Sequence, residues 1–168
     1  TGVQTCALPI CSPLHPLGSL DDHAYVIEHA EIDALVFDET LFAGRAAELI
    51  EKFPDLLLLG FGANDVGLDY MGLAAGFDPQ PLVAPEVSPT DVSSITYTGG
   101  TTGKPKGVLG TYRATAFMTQ VQMAEWEFPT DLRMLIATPL SHAAAAFFIP
   151  VLQKGGAFYV MQGFSQIG

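Results

Sequence analysis

Residues Tyr97 to Gly107 read YTGGTTGKPKG. The run holds four glycines, three threonines and two lysines in eleven positions. No packed helix or strand wants that composition. Glycine lets the backbone approach a ligand closely or turn with positive φ. Successive backbone N–H groups in such a turn make an anion-binding concavity. Thr98, Thr101 and Thr102 add hydroxyl donors, and Lys104 and Lys106 add charge. The run reads as a phosphate cradle, and the chain as one that uses a nucleotide.

Two better-known phosphate loops do not fit. A P-loop requires G-x-x-x-x-G-K-[ST]. Here Gly103-Lys104 is followed by Pro105, and Thr98 stands where the first glycine belongs. Pro105 also disfavours helix at Lys104, so the loop does not run straight into a helix. A dinucleotide fingerprint fares no better. Gly60-Phe61-Gly62 follows the apolar run Leu56 to Leu59, but Asp65 occupies the third glycine position. A carboxylate there would repel a pyrophosphate.

Working outward from the loop, Val92 to Tyr97 is an expected strand feeding it, and Gly107 to Gly110 is expected to return beside that strand. Tyr112 to Glu125 is an expected helix. Arg133 to Thr138 is an expected strand closed by Pro139. His142 to Gln153 is expected to be helical despite Pro150, and Ala157 to Met161 to be a strand. On the other side, Ser19 with Asp22 forms a capping-box start for a helix to about Ala30. Ala34 to Phe37 reads as a buried strand, Leu41 to Phe53 as a helix and Leu56 to Leu59 as a strand. Asn64 to Pro89, rich in Gly and Pro, is expected to be irregular apart from a short helix near Asp69 to Ala75. Strands alternating with helices predict an α/β fold with a largely parallel sheet and flanking helices.

Composition narrows the function. The chain has 168 residues, is 49% hydrophobic and carries a net charge of −11. The charge is uneven: residues 12–97 hold 15 acids and 2 bases, residues 98–168 hold 3 acids and 5 bases. The loop lies in the less acidic half, as an anion site prefers. So acidic a chain is a poor nucleic-acid binder. No apolar run reaches the length of a transmembrane helix.

The string YTGGTTGKPKGV resembles the signature of the adenylate-forming (AMP-binding) superfamily, whose commonest form is YTSGTTGKPKGV. Gly99 in place of serine is a variant associated with fatty-acyl-CoA ligases. Ala137 to His142, ATPLSH, resembles a second family motif, P-L-F-H, with Ser141 for phenylalanine and Ala143 to Ala146 where glycines often follow. The resemblance spans about residues 12–168. It implies an acyl-CoA synthetase in which ATP and a carboxylic acid, fatty acids foremost, give acyl-AMP and pyrophosphate before coenzyme A takes the acyl group. It further implies that Thr98, Gly99, Gly100, Thr101, Thr102, Gly103 and Lys106 hold ATP phosphates. His142 would lie at the acyl pocket and thiol channel, as the candidate catalytic residue. Mg²⁺ is implied as well, its main ligand falling in a later Tyr-Gly-x-Thr-Glu motif that this chain does not contain. A cytoplasmic location and small-molecule partners follow from the same resemblance. An adenylation domain that loads a carrier protein, or a non-catalytic α/β remnant, are the alternative expectations.

Thr1 to Ile10, TGVQTCALPI, resembles the translated frame of a common DNA-sequencing adapter. Residues 1–11 are therefore expected to be a non-native end and its junction. Residues 12–168 are expected to be part of the large N-terminal domain of such an enzyme, without its C-terminal lid. Cys6 and Cys11, beside that seam, then support neither a disulfide framework nor a zinc site.

Overall fold

The computed structural model describes residues 9–78, 86–98, 104–138 and 143–161. They group into two compact units. The first contains described residues within Leu14–Glu86 and Ile95–Val108. The second contains Pro9–Pro13, Val87–Ser94 and the described residues from Leu109 onward.

In the first unit, helix α1 (Leu20–His29) begins where the capping box predicts. The Asp22 N–H donates to Ser19 Oγ at 3.1 Å, and the Ser19 N–H donates to Asp22 Oδ2 at 3.0 Å. The Ser19 hydroxyl, followed by its backbone N–H, holds the Asp22 carboxyl below its ordinary pKa. Strand β1 (Ala34–Phe37) follows, then helix α2 (Ala43–Lys52) and strand β2 (Leu57–Gly60). Helix α2 starts two residues later than Leu41 because Asp38 caps a turn first. Asp38 Oδ1 accepts from the N–H groups of Thr40 and Leu41 at 3.0 and 2.9 Å.

Strands β1 and β2 pair in parallel, with Leu35 opposite Leu58 and Phe37 opposite Gly60. A two-residue strand β3 (Leu68–Asp69) adds in parallel to β2 and leads into helix α3 (Tyr70–Ala75), capped by Asp69. Strand β3 falls in the stretch Asn64 to Pro89 that was expected to be irregular apart from a short helix. Its pairing depends on Gly67, where a Cβ would lie 2.6 Å from the Leu58 carbonyl oxygen. The core comprises Ile27, Phe37, Ala46, Leu49, Leu56 and Leu58, joining α1 and α2 to one face of the sheet. The opposite face is open. Val36 is 48% exposed and Leu57 46%. Strand β1, expected to be buried, is therefore buried on one side only, because side chains alternate between faces.

Strand β4 (Val92–Thr98) and strand β5 (Lys106–Thr111) form a two-stranded sheet. Ser93 Oγ donates to the Gly110 carbonyl, and Thr98 Oγ1 donates to the Lys106 carbonyl. Partner numbers fall as position rises, so the pair is antiparallel and β5 returns beside β4 as expected.

In the second unit, Thr111 caps helix α4 (Tyr112–Glu125), which has the expected bounds. Strands β6 (Arg133–Ile136) and β7 (Ala157–Val160) pair in parallel. Between them a 3₁₀ turn (Ala143–Phe147) precedes helix α5 (Phe148–Gln153), so the expected single helix is divided. Pro150 is tolerated because it sits in the first turn of α5, where N–H groups have no intrahelical acceptor. Ile136, Ala144, Pro150 and Val151 are buried here. Phe147 packs on Trp126 with ring centres 5.4 Å apart, and Phe148 packs on Phe158 at 4.4 Å. Both phenylalanines thus pack against other aromatic rings. Among the described residues, no helix is long and apolar enough to cross a membrane.

Candidate functional site

In the sequence, the Gly/Thr run falls between β4 and β5. Strand β4 ends at Thr98 and β5 starts at Lys106. A strand, not a helix, therefore follows the loop, as Pro105 requires and as a P-loop would not allow. Gly60-Phe61-Gly62 likewise leads to β3 and opens no helix. The sequence-predicted residues Thr98 and Lys106 face each other across the loop's neck, both exposed. Gly99, Gly100, Thr101, Thr102, Gly103 and His142 lie outside the described residues.

The neck has a defined chemistry. The Thr98 hydroxyl points its proton at the Lys106 carbonyl from 3.5 Å, a weak bond at the limit of useful length. A phosphate oxygen placed there could compete for it. The neighbouring Tyr97 packs its ring against Gly107. A Cβ at Gly107 would lie 3.0 Å from Ile95 Cγ2 and 3.3 Å from Tyr97 Cζ. A side chain there would have to push Ile95 and Tyr97 aside by a few tenths of an ångström.

Tyr97 also reaches α1. Its hydroxyl lies 2.6 Å from His29 Nδ1 in a hydrogen bond. Its ring meets those of Tyr25 and His29 edge-on, at 6.2 and 5.7 Å. Burial, and secondarily Tyr25, raises the Tyr97 pKa above its ordinary value. The phenol therefore stays protonated at neutral pH and can donate to the imidazole. On the other side of the loop, Lys104 Nζ sits 5.0 Å from the centre of the Tyr25 ring. Such a cation–π contact is worth about 0.5–1 kcal/mol at an exposed site.

Beside these residues lies an open groove of about 520 Å³, lined by Asp21, Asp22, Ala24, Tyr25, Glu28, Lys104 and Pro105. Three carboxylates against one ammonium make it hostile to a polyphosphate. Among the described residues, no group of three or more His, Cys, Asp or Glu side chains converges to hold a metal ion. These residues do not by themselves fit a Mg²⁺ site.

The sequence pattern of the AMP-binding enzyme family matches residues 9–167. The chain belongs to that family. Over 158 residues it is 49% identical to the medium/long-chain-fatty-acid–CoA ligase FadD8 of Mycobacterium tuberculosis, covering 90% of this chain and 28% of that protein. It is 32% identical over 146 residues to the medium-chain-fatty-acid–CoA ligase of Ectopseudomonas oleovorans, covering 81% of this chain and 27% of that one. Its fold matches the amide bond synthetase McbA from Marinactinospora thermotolerans with a TM-score of 0.75 and 27% identity, over 90% of this chain and 30% of that one. The chain thus spans under a third of the length of these relatives.

Tyr25 and His29 were not singled out in the sequence. Their four-residue spacing on a capped helix was visible, but it signals only a shared face. Their partner Tyr97 lies 68 positions beyond His29.

Proposed function

We propose that this chain is part of an AMP-forming acyl-CoA synthetase. Such an enzyme activates a medium- or long-chain fatty acid with ATP and passes the acyl group to coenzyme A. The observation that carries the proposal is the 49% identity to a fatty-acid–CoA ligase across the segment that contains the Gly/Thr loop. The antiparallel neck supports it, since it holds Thr98 and Lys106 at the two roots of a run able to surround phosphate oxygens.

In this reading Thr98, Gly99, Gly100, Thr101, Thr102, Gly103 and Lys106 meet the phosphates of ATP, and His142 borders the acyl pocket. Their work is electrostatic. Donors fixed in advance stabilise the charge that grows on the leaving pyrophosphate as the acid's carboxylate oxygen bonds to the α-phosphorus. Mg²⁺ would further neutralise that charge, with its main ligand supplied from outside this chain. Residues 12–168 are the enzyme's own segment in this reading, and residues 1–11 are not. The cytoplasm, where ATP and coenzyme A are available, is the proposed location.

The test is ATP–pyrophosphate exchange by the full-length protein, with octanoate, palmitate and an aromatic acid compared. Fatty-acid-dependent exchange, followed by acyl-CoA formation, is the expected result. Changing Thr101 or Thr102 to valine removes a hydroxyl donor to a charged group, worth about 1.5–3 kcal/mol. That corresponds to roughly a ten- to hundredfold loss in exchange rate. Wild-type exchange in both variants would refute the loop's role, and no exchange with any acid would refute the function.

A further inference from the structure

We infer that helix α1 is the positioning element of the Gly/Thr loop, holding Tyr97 before it through His29 and Lys104 after it through Tyr25. The inference rests on the phosphate-binding reading of that loop and assigns a role to residues outside the loop's own sequence.

The geometry is specific. Tyr25 and His29 lie one turn apart on α1, their rings 5.2 Å from each other. His29 bonds the Tyr97 hydroxyl at 2.6 Å, and Tyr25 carries the Lys104 ammonium 5.0 Å from its ring centre. Tyr97 and Lys104 bracket the run from Thr98 to Gly103. Both attachments therefore reach the same face of one helix. That helix is itself fixed: Val26 and Ile27 are buried, and Ser19 and Asp22 close its N-terminus.

A loop whose two roots are held on one rigid support has fewer arrangements to lose when a polyphosphate settles into it. Preorganisation of that kind lowers the cost of binding without adding a contact to the ligand. Gly107 belongs to the same arrangement, since a Cβ there would lie 3.3 Å from Tyr97 Cζ.

Charge assigns the two lysines different tasks. Lys104 shares its groove with Asp21, Asp22 and Glu28. Asp21 is itself paired with Lys52 at 3.2 Å, but the negative lining as a whole disfavours a triphosphate beside Lys104. Lys106, at the first position of β5, is left for the phosphates. Lys104 is thus a positioning residue, although it lies in the phosphate motif. His29 and Lys104 are both exposed, so loss of their contacts should leave the fold intact.

The experiment compares Tyr97→Phe, His29→Leu, their double variant, Lys104→Gln, Lys104→Arg, Tyr25→Leu and Tyr25→Phe in the full-length protein. The KM for ATP in pyrophosphate exchange should rise roughly three- to tenfold for Tyr97→Phe and for His29→Leu, the scale of one hydrogen bond. The double variant should be no worse than either single change, because both remove the same bond. Lys104→Gln and Tyr25→Leu should raise the KM, whereas Lys104→Arg and Tyr25→Phe, which keep the cation and the ring, should restore it. The kcat and the KM for the fatty acid should stay within about twofold of wild type. An unchanged KM for ATP in an active enzyme would overturn the proposal, as would losses that multiply in the double variant. A collapse of kcat in Lys104→Gln that arginine does not restore would make Lys104 a phosphate ligand instead. Amide hydrogen exchange at Thr98 and Lys106 gives a readout independent of turnover. It should quicken in Tyr97→Phe and in His29→Leu, and equal exchange would overturn the proposal even if no acid proves to be a substrate.

Discussion

Leu57 and Leu58 are adjacent, identical and on the same strand, yet the fold gives them opposite surroundings. Leu58 is 4% exposed within the core, whereas Leu57 is 46% exposed on the open face of the sheet. Truncating each to alanine changes strand propensity equally, so the difference between them isolates burial. Leu58→Ala loses the full transfer energy and leaves a cavity among Ile27, Phe37 and Leu49, at a cost of about 2–5 kcal/mol. Leu57→Ala loses roughly half of a leucine's transfer energy and leaves no cavity, at a cost of about 1 kcal/mol. A gap near 2 kcal/mol corresponds to roughly 8–16 °C in melting temperature for a unit of this size. The assay is thermal unfolding of the 168-residue chain, kept dilute enough to sediment as a monomer, followed by circular dichroism and supported by urea midpoints at constant slope. Equal shifts for the two variants would refute the assignment of faces. In a full-length protein whose remaining residues cover the open face, the cost of Leu57→Ala should rise towards that of Leu58→Ala.

Two other outcomes are expected. Ser19→Ala should destabilise the chain by about 0.5–2 kcal/mol by removing the α1 cap. Because the folded Asp22 carboxyl has a depressed pKa, its contribution is present above the ordinary carboxylate range and disappears as pH falls through the depressed value. The Ser19→Ala cost, measured by melting, should therefore shrink in strong acid, and a cost independent of pH would contradict the capping box. The 168-residue chain alone should self-associate, since Val36, Leu57 and Leu68 on the sheet and Phe117 and Met118 on α4 are exposed. Sedimentation velocity checks this, and a monodisperse monomer at high concentration would contradict it.

Much of this fold was legible because its signals are local. The Ser19–Asp22 pair marked the start of α1, and the expected helix Tyr112 to Glu125 matched α4. The family was legible for the same reason: YTGGTTGKPKG is contiguous, and so is ATPLSH. What escaped is set by distant partners. The run Leu56 to Leu59 cannot say which leucines face α1 and α2, since all four are equally apolar. Strand β3 exists because Gly67 approaches the Leu58 carbonyl, a contact between segments that no periodicity announces. The start of α2 moved because the Asp38 carboxylate took the first two N–H groups for its own turn.

The candidate site divides along the same line. A phosphate cradle must be written as consecutive residues, because its donors are successive backbone N–H groups and their closeness comes from the chain itself. Whatever fixes such a cradle in space must come from elsewhere, since a glycine-rich segment cannot stiffen itself. Here that outside support is a pair of side chains on a helix that ends 68 residues before Tyr97. Sequence motifs therefore report which atoms can meet the ligand, and the fold decides at what entropic cost they do so. Substitutions at Tyr25 and His29, far from any motif, should consequently act on ATP binding, whereas Thr101 and Thr102 should act on the rate of the chemical step.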